Sequence, residues 1–245
     1  MRFDVVTLFP DLFAPFLTQG VTRRAYQHGP VDVRLWYLRD FADDAYRRVD
    51  DRPFGGGPGM VLMAEPLALC VQAVRSDRER EGDTAKAPVV LFSPAGKVLK
   101  HAEVARWAES PGAILICGRY EGVDQRFVDG CVDEQISLGD FVLSGGEIAA
   151  LALLDAVARL QPGVLGDARS FQEESFNPAL DGLLDGPQYT RPEVWRDQAV
   201  PEVLLSGHHA QIDQWRAEQR LAATAAHRPD LLARSGATRK PRGSR

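Results

Sequence analysis

Three short stretches set glycines beside charged or apolar residues directly after β-rich runs: F-S-P-A-G-K at 92–97, C-G-R-Y-E-G at 117–122 and S-L-G-D-F-V-L-S-G-G-E at 137–147. A glycine after a strand lets the backbone approach a ligand closely. Three such loops in one α/β domain can form a cleft that reads its ligand through main-chain N–H and C=O groups. None has the G-x-x-x-x-G-K-[ST] or G-x-G-x-x-G spacing between a strand and a helix, which argues against a phosphate-cradling nucleotide site. A fourth stretch, V-D-D-R-P-F-G-G-G-P-G-M at 49–60, joins two acids, an arginine and an aromatic to a glycine run. That composition describes a lid able to order around a ligand, with Asp51, Arg52 and Gly56 as its candidate substrate-binding residues.

Such loops need a scaffold, and the first half of the chain supplies an alternating one. Residues 3–9, 31–38, 89–92 and 113–117 read as strands and 132–137 as a weaker one; 65–80 and 97–109 have helical spacing, and 146–160 is a strongly apolar helix. The alternation predicts a parallel sheet with helices on both faces, a class that binds ligands beyond the carboxyl ends of its strands. After Leu160 the tripeptide Gln161-Pro162-Gly163 stops the helix, and a polar stretch punctuated by Gly and Pro runs to about Pro192. A connection of that length is functional or disordered. From Pro201 the pattern is helical again, with Ser206 as a cap, Ile212, Trp215 and Leu221 on one side, and a short helix at R-P-D-L-L-A-R. The last ten residues have nothing to bury, and no internal repeat is visible.

With 245 residues and 44% hydrophobic content, the chain can bury one large core or a medium and a small one. Its apolar runs fall far short of the ~20 residues of a membrane helix. The N-terminus reads as a strand, without a charged leader or cleavage site, so a cytoplasmic location is expected. Cys70, Cys117 and Cys131 are odd in number and widely spaced, the pattern of reduced, packed thiols and not of a disulfide framework or a zinc site. The net charge of −5 is uneven: residues 201–245 carry eight Lys/Arg against four Asp/Glu, leaving the first 200 at −9. A basic C-terminal segment on an acidic body suits a polyanionic partner.

Six motifs occur in an order that resembles one family. V-D-D-R-P-F-G-G-G-P-G-M, L-F-S-P-A-G-K, C-G-R-Y-E-G-V-D-Q-R, S-L-G-D-F-V-L-S-G-G-E, D-A-V-A-R-L-Q-P-G-V-L-G and G-L-L-D-G-P-Q-Y-T-R-P are similar to those of bacterial tRNA (guanine-N1)-methyltransferases of the TrmD type, over residues 1 to about 235. The resemblance implies a SPOUT-type α/β fold: a parallel sheet with a deep trefoil knot at the cofactor site, plus a small α-helical C-terminal domain. It implies residues 1–161 as a knotted domain, 162–192 as a flexible linker, 193–236 as a helical tRNA-binding domain and 237–245 as a disordered basic tail. The partners implied are tRNA and a second copy of the chain, with neither membrane nor DNA. Nothing in the hydrophobic periodicity reveals a knot.

The same resemblance assigns the cofactor S-adenosylmethionine to Pro94, Gly118, Tyr120, Glu121, Leu138, Gly139, Asp140, Phe141, Val142, Leu143, Gly145 and Gly146. Main-chain groups at 138–143 would read the adenine, and Glu121 would face a cationic part of the cofactor. Methylation at guanine N1 requires a base for the N1 proton and a cation for the charge that builds on O6. Arg159 matches the family's arginine in the second role. The family has an aspartate directly before S-F in the linker, whereas this chain has Glu174. One extra methylene moves the carboxylate by roughly 1.5 Å. Three readings stay open: Glu174 serves with an adjusted linker, Asp181 or Asp185 substitutes, or the enzyme is slower. Gln188 stands where a histidine is frequent in the family. Arg216, Arg220 and Arg228 are the candidates for RNA phosphates. A Mg²⁺ requirement follows from the family alone, with no cluster of metal-ligand spacing to hold it. A related 2′-O-ribose methyltransferase and a tRNA-binding protein with impaired catalysis are the alternative functions.

Overall fold

In a computed structural model the chain forms two compact units, Met1–Gly166 and Asp167–Arg245. The structure describes residues 1–27, 29–83, 86–166 and 173–235. The basic tail expected at 237–245 lies outside them.

The first unit runs β1 (Arg2–Thr7), α1 (Ala14–Thr18), α2 (Arg23–Gln27), β2 (Asp32–Tyr37), β3 (Asp50–Asp51), β4 (Val61–Leu62), α3 (Ala64–Arg80), β5 (Val89–Val98), α4 (His101–Ala108), β6 (Gly112–Ile116), α5 (Gln125–Cys131), β7 (Glu134–Ser137) and α6 (Glu147–Arg159). Five strands make one sheet in the order β2-β1-β6-β5-β7, and every pair in it is parallel. The expected parallel α/β sheet is therefore present. Because successive strand residues point to opposite faces, two cores form. Phe3, Val5, Ala113 and Leu115 pack with Leu153, Leu154 and Val157 of α6. Val6, Ile114 and Ile116 pack with Leu67, Val71 and Val74 of α3 on the other side.

At the amino end of β1 the fully buried Asp4 accepts from Arg2, Arg78 and the Trp36 indole. A buried carboxylate is tolerable only when paired in this way. The pairs tie β1 to β2 and α3.

Three local expectations are corrected. The strand expected at 89–92 continues to Val98 through an irregularity between Phe92 and Lys97, so the helix expected from Lys97 begins at His101. Pro94 has no N–H to give a ladder, which breaks the regular pairing without ending the strand. A helix not expected at all, α5, begins after Asp124, whose side chain accepts from the Arg126 N–H as an N-cap. In the second unit Ser206 closes a helix and does not open one.

That unit holds a 3-10 turn at Pro178–Leu180, the short pair β8 (Val194–Trp195) and β9 (Gln198–Ala199), then α7 (Glu202–Leu205), α8 (His209–His227) and α9 (Pro229–Ser235). Ser206 follows α7; its hydroxyl donates to the Val203 carbonyl and accepts from the His208 N–H. Residues 173–185 pack within this unit. Leu183 and Asn177 are buried, and the fully buried Thr224 hydroxyl on α8 accepts from the Leu184 N–H.

Candidate functional site

Beyond the carboxyl ends of β6 and β7, and beside the irregular stretch of β5, lies an open cleft of about 260 Å³. Its walls are the three glycine-bearing loops. Pro94 lines one side, Gly118, Tyr120 and Glu121 the middle, and Leu138, Phe141, Val142, Leu143, Gly145 and Gly146 the far side. Gly139 and Asp140 belong to the same loop without lining the cleft; the Ser137 hydroxyl donates to the Gly139 carbonyl and accepts from its N–H. Among the described residues, no protein group accepts from the N–H of Asp140, Val142 or Leu143. Phe141 and Val142 leave much of their apolar surface exposed at the lip.

Two of the loops are stitched together. The Gly146 N–H donates to the Gly118 carbonyl at 2.9 Å, and Arg119 and Gly145 form an isolated antiparallel bridge. A side chain at 146 would stand 2.7 Å from the Cys117 Cα, so only glycine permits this approach. Beneath the stitch, Glu147 is 1% exposed and its carboxylate accepts from the Thr7 hydroxyl at 2.8 Å and from Arg119 Nε at 2.9 Å. The Arg119 guanidinium also lies over the Phe9 ring, 4.3 Å from its centroid. Arg119 and Glu147 thus bind the loops after β1 and β6 to the head of α6. Neither residue was a sequence candidate. The available signal was an acid at the first turn of a largely apolar helix, which needs a partner when buried.

The lid candidate meets the middle loop. Glu121 donates its N–H to the Met60 carbonyl, Leu62 donates to Gly122 and Asp124 donates to Leu62. Gly59, at φ +77°, sits where a Cβ would run into the Glu121 carboxylate. Tyr120 holds a left-handed backbone at φ 60°, an uncommon conformation for a bulky residue that surrounding contacts must enforce. Burial, and then the nearby Asp50 carboxylate, push the Tyr120 phenol up. Asp51 pairs with Val61 in the β3–β4 ribbon, while Arg52 and Gly56 lie in the exposed loop beyond it and do not line the cleft.

Burial pushes the Cys70 thiol up to about 12. The Cys117 thiol under the cleft is driven up by burial and then by the Glu147 charge. Both stay protonated, so neither is a thiolate nucleophile. Among the described residues no three His, Cys, Asp or Glu gather as metal ligands, and no helix is long and apolar enough to cross a membrane.

A family model described as tRNA (Guanine-1)-methyltransferase TrmD matches residues 1–234. The chain belongs to this family. A relative from Paracidovorax citrulli, named tRNA (guanine-N(1)-)-methyltransferase, is 71% identical over 232 residues, covering 95% of this chain and 91% of its own. Identically named relatives from Polaromonas sp. and Janthinobacterium sp. are 67% and 55% identical, covering 97% and 96% of this chain and 91% and 93% of theirs.

The residues that the TrmD resemblance assigns to chemistry fall in both units. Arg159 is half-buried at the last position of α6 and does not line the cleft. Glu174, Asp181 and Asp185 belong to the second unit. Asp185 is committed locally: one carboxylate oxygen accepts from the Gly186 N–H at 2.7 Å and the other from the Gln188 amide at 2.9 Å. Asp181 closes the 3-10 turn in a left-handed conformation and is exposed. Glu174 is half-buried and its carbonyl accepts from the Asn177 N–H. Arg216 and Arg220 lie on α8; Arg228 follows that helix, ion-paired with Asp230.

Proposed function

We propose that the protein transfers a methyl group from S-adenosylmethionine to N1 of the guanosine 3′ of the anticodon in tRNA. The observation that carries this reading is the TrmD family match over residues 1–234, together with relatives up to 71% identical that are named for guanine-N1 methylation of tRNA.

The cleft fits the cofactor by its charge. Arg119, a cation in its lining, is neutralised by Glu147, which leaves the Glu121 carboxylate as the excess charge. A cationic ligand suits such a site and a phosphate does not. The N–H groups of Val142 and Leu143 offer main-chain donors for a purine edge, beside the apolar faces of Leu138 and Phe141. At about 260 Å³, near the ~300 Å³ lower end of small-molecule sites, the cleft favours a compact ligand. When bound, the cofactor supplies an electrophilic methyl group on a sulfonium.

The chain's own residues do the rest. Glu121 balances the cationic ligand, and the stitched loops of 118 and 146 hold it in place. Glu174 takes the guanine N1 proton, and Arg159 stabilises the negative charge that grows on O6.

The finer organisation follows the family. The chain acts as a cytoplasmic homodimer whose cofactor loops form a deep trefoil knot. Residues 1–161 bind the cofactor, 162–192 link, and 193–236 grip tRNA. The segment that carries Glu174 in one protomer is brought to the cofactor site of its partner when tRNA binds, so that Glu174 meets the base only then. The passage of the chain at Gly146 within reach of Cys117 supports the knotted reading. A Glu174→Gln variant tests the assignment: single-turnover methylation is abolished while cofactor affinity stays unchanged. Near-normal turnover would move the role to Asp181 or Asp185.

A further inference from the structure

We infer that the second unit carries a pocket for one unpaired base of the RNA, walled by Tyr189 and Trp215. The pocket measures about 380 Å³ and lies where residues 187–193 cross α7 and the start of α8. Its floor is apolar, made by Val200, Leu204 and Ile212. The Tyr189 and Trp215 rings stand 6.3 Å apart between centroids and are inclined at 55°, so they form a wedge and do not stack on each other. Tyr189 is 49% exposed, which leaves ring surface for a partner.

Around this wedge the charge is positive: Arg191 and Arg216 line the pocket against the single acid Glu193. An aromatic wedge over an apolar floor, with guanidinium groups at the rim, matches a splayed-out nucleobase and its flanking phosphates. A second copy of this chain fits less well, because a two-fold contact through the pocket would bring the same arginines face to face. The rim also differs from the cleft of the first unit, whose excess charge is negative, so the two sites select different ligands.

The inference rests on tRNA being the substrate, and its test separates the two. Full-length protein and a Tyr189→Leu variant, which keeps an apolar side chain but removes the stacking face, are titrated with unmodified tRNA over a range of salt concentrations. The variant binds about tenfold more weakly with an unchanged salt slope, since no phosphate contact is lost. Arg216→Gln weakens binding and lowers the slope by about one phosphate. A panel of tRNAs, each with one anticodon-loop nucleotide made abasic, then locates the base. One abasic tRNA weakens wild-type binding to the level of Tyr189→Leu and has no further effect on that variant. Equal affinities of variant and wild type, or abasic effects that all add to the substitution, overturn the pocket. So does a variant whose only change is a smaller assembly in sedimentation, which would assign the wedge to self-association. Wild-type protein that fails to bind tRNA at all would instead overturn the substrate reading.

Discussion

Substitution of Glu147 by glutamine separates the architecture of the cleft from its electrostatics. In the native protein both carboxylate oxygens are used, one by Thr7 at 2.8 Å and one by Arg119 at 2.9 Å. A glutamine retains a single acceptor oxygen, and its amide group must then confront one of the two donors. The loss is that of a buried hydrogen bond to a charged group, about 1.5–3 kcal/mol. For a chain of this size, about 2 kcal/mol corresponds to a fall in Tm of about 4–8 °C. A second effect reaches the ligand. Without its counter-charge, Arg119 offsets Glu121 and the cleft loses its negative excess. For charges on the order of 8 Å apart and an effective dielectric near ~40, that is ~1 kcal/mol, or about fivefold in cofactor affinity. Thermal unfolding and calorimetric titration with S-adenosylmethionine measure the two effects. Thr7→Val is the control, since it removes the hydrogen bond donated to Glu147 and the one accepted from the Phe9 N–H but no charge. If Thr7→Val weakens the cofactor as much as Glu147→Gln does, or if neither changes its affinity, the electrostatic argument fails.

Other residues make sharper single tests. Gly59→Ala forces a β-carbon at φ +77° into the Glu121 carboxylate, so cofactor affinity falls by calorimetry, at a cost in stability of about 1–2 kcal/mol. Arg159→Gln lowers the single-turnover rate about 10²- to 10³-fold with cofactor affinity unchanged; an equal loss in both would make Arg159 a binding residue. Arg126, first through its side chain and then through its N–H, holds the Asp124 carboxyl down to about 2, below its ordinary range. A depressed folded-state value gives stability that is full above the unfolded value near ~4 and is lost as pH falls through about 2. Asp124→Ala therefore costs about 1 kcal/mol at pH 6 by urea unfolding, and the gap from wild type narrows as pH approaches 2. A gap that stays constant down to that pH would remove the ion pair from the explanation.

The sheet was legible because its strands are short β-rich runs bounded by turn residues, and because α6 is apolar along most of its length. The loops could be named as a cleft because their glycines follow strands, and ten of the twelve residues assigned to the cofactor do line one cleft. What could not be read was contact across the chain. Arg119 and Glu147 are 28 positions apart and Thr7 and Glu147 are 140 apart, with no local pattern to join them. The continuation of β5 past Pro94 was hidden because proline and glycine together look like a turn, whereas here they interrupt a strand that resumes against Ile136 and Ser137. The α5 helix did carry a signal, an Asp124 cap followed by Phe127 and Val128, but Gly130 near its end masked it. Packing of residues 173–185 on α8 involves Thr224, forty positions beyond Leu184, and the segment, broken by Pro178 and Gly182, shows no periodicity to suggest it.

The central claim is the atom that receives the methyl group. Wild-type protein is incubated with radiolabelled S-adenosylmethionine and unmodified tRNA, the RNA is digested to nucleosides, and the labelled product is identified by chromatography and mass. The account predicts N1-methylguanosine as the labelled nucleoside. A labelled 2′-O-methyl nucleoside, or tRNA that binds but acquires no label, would contradict it.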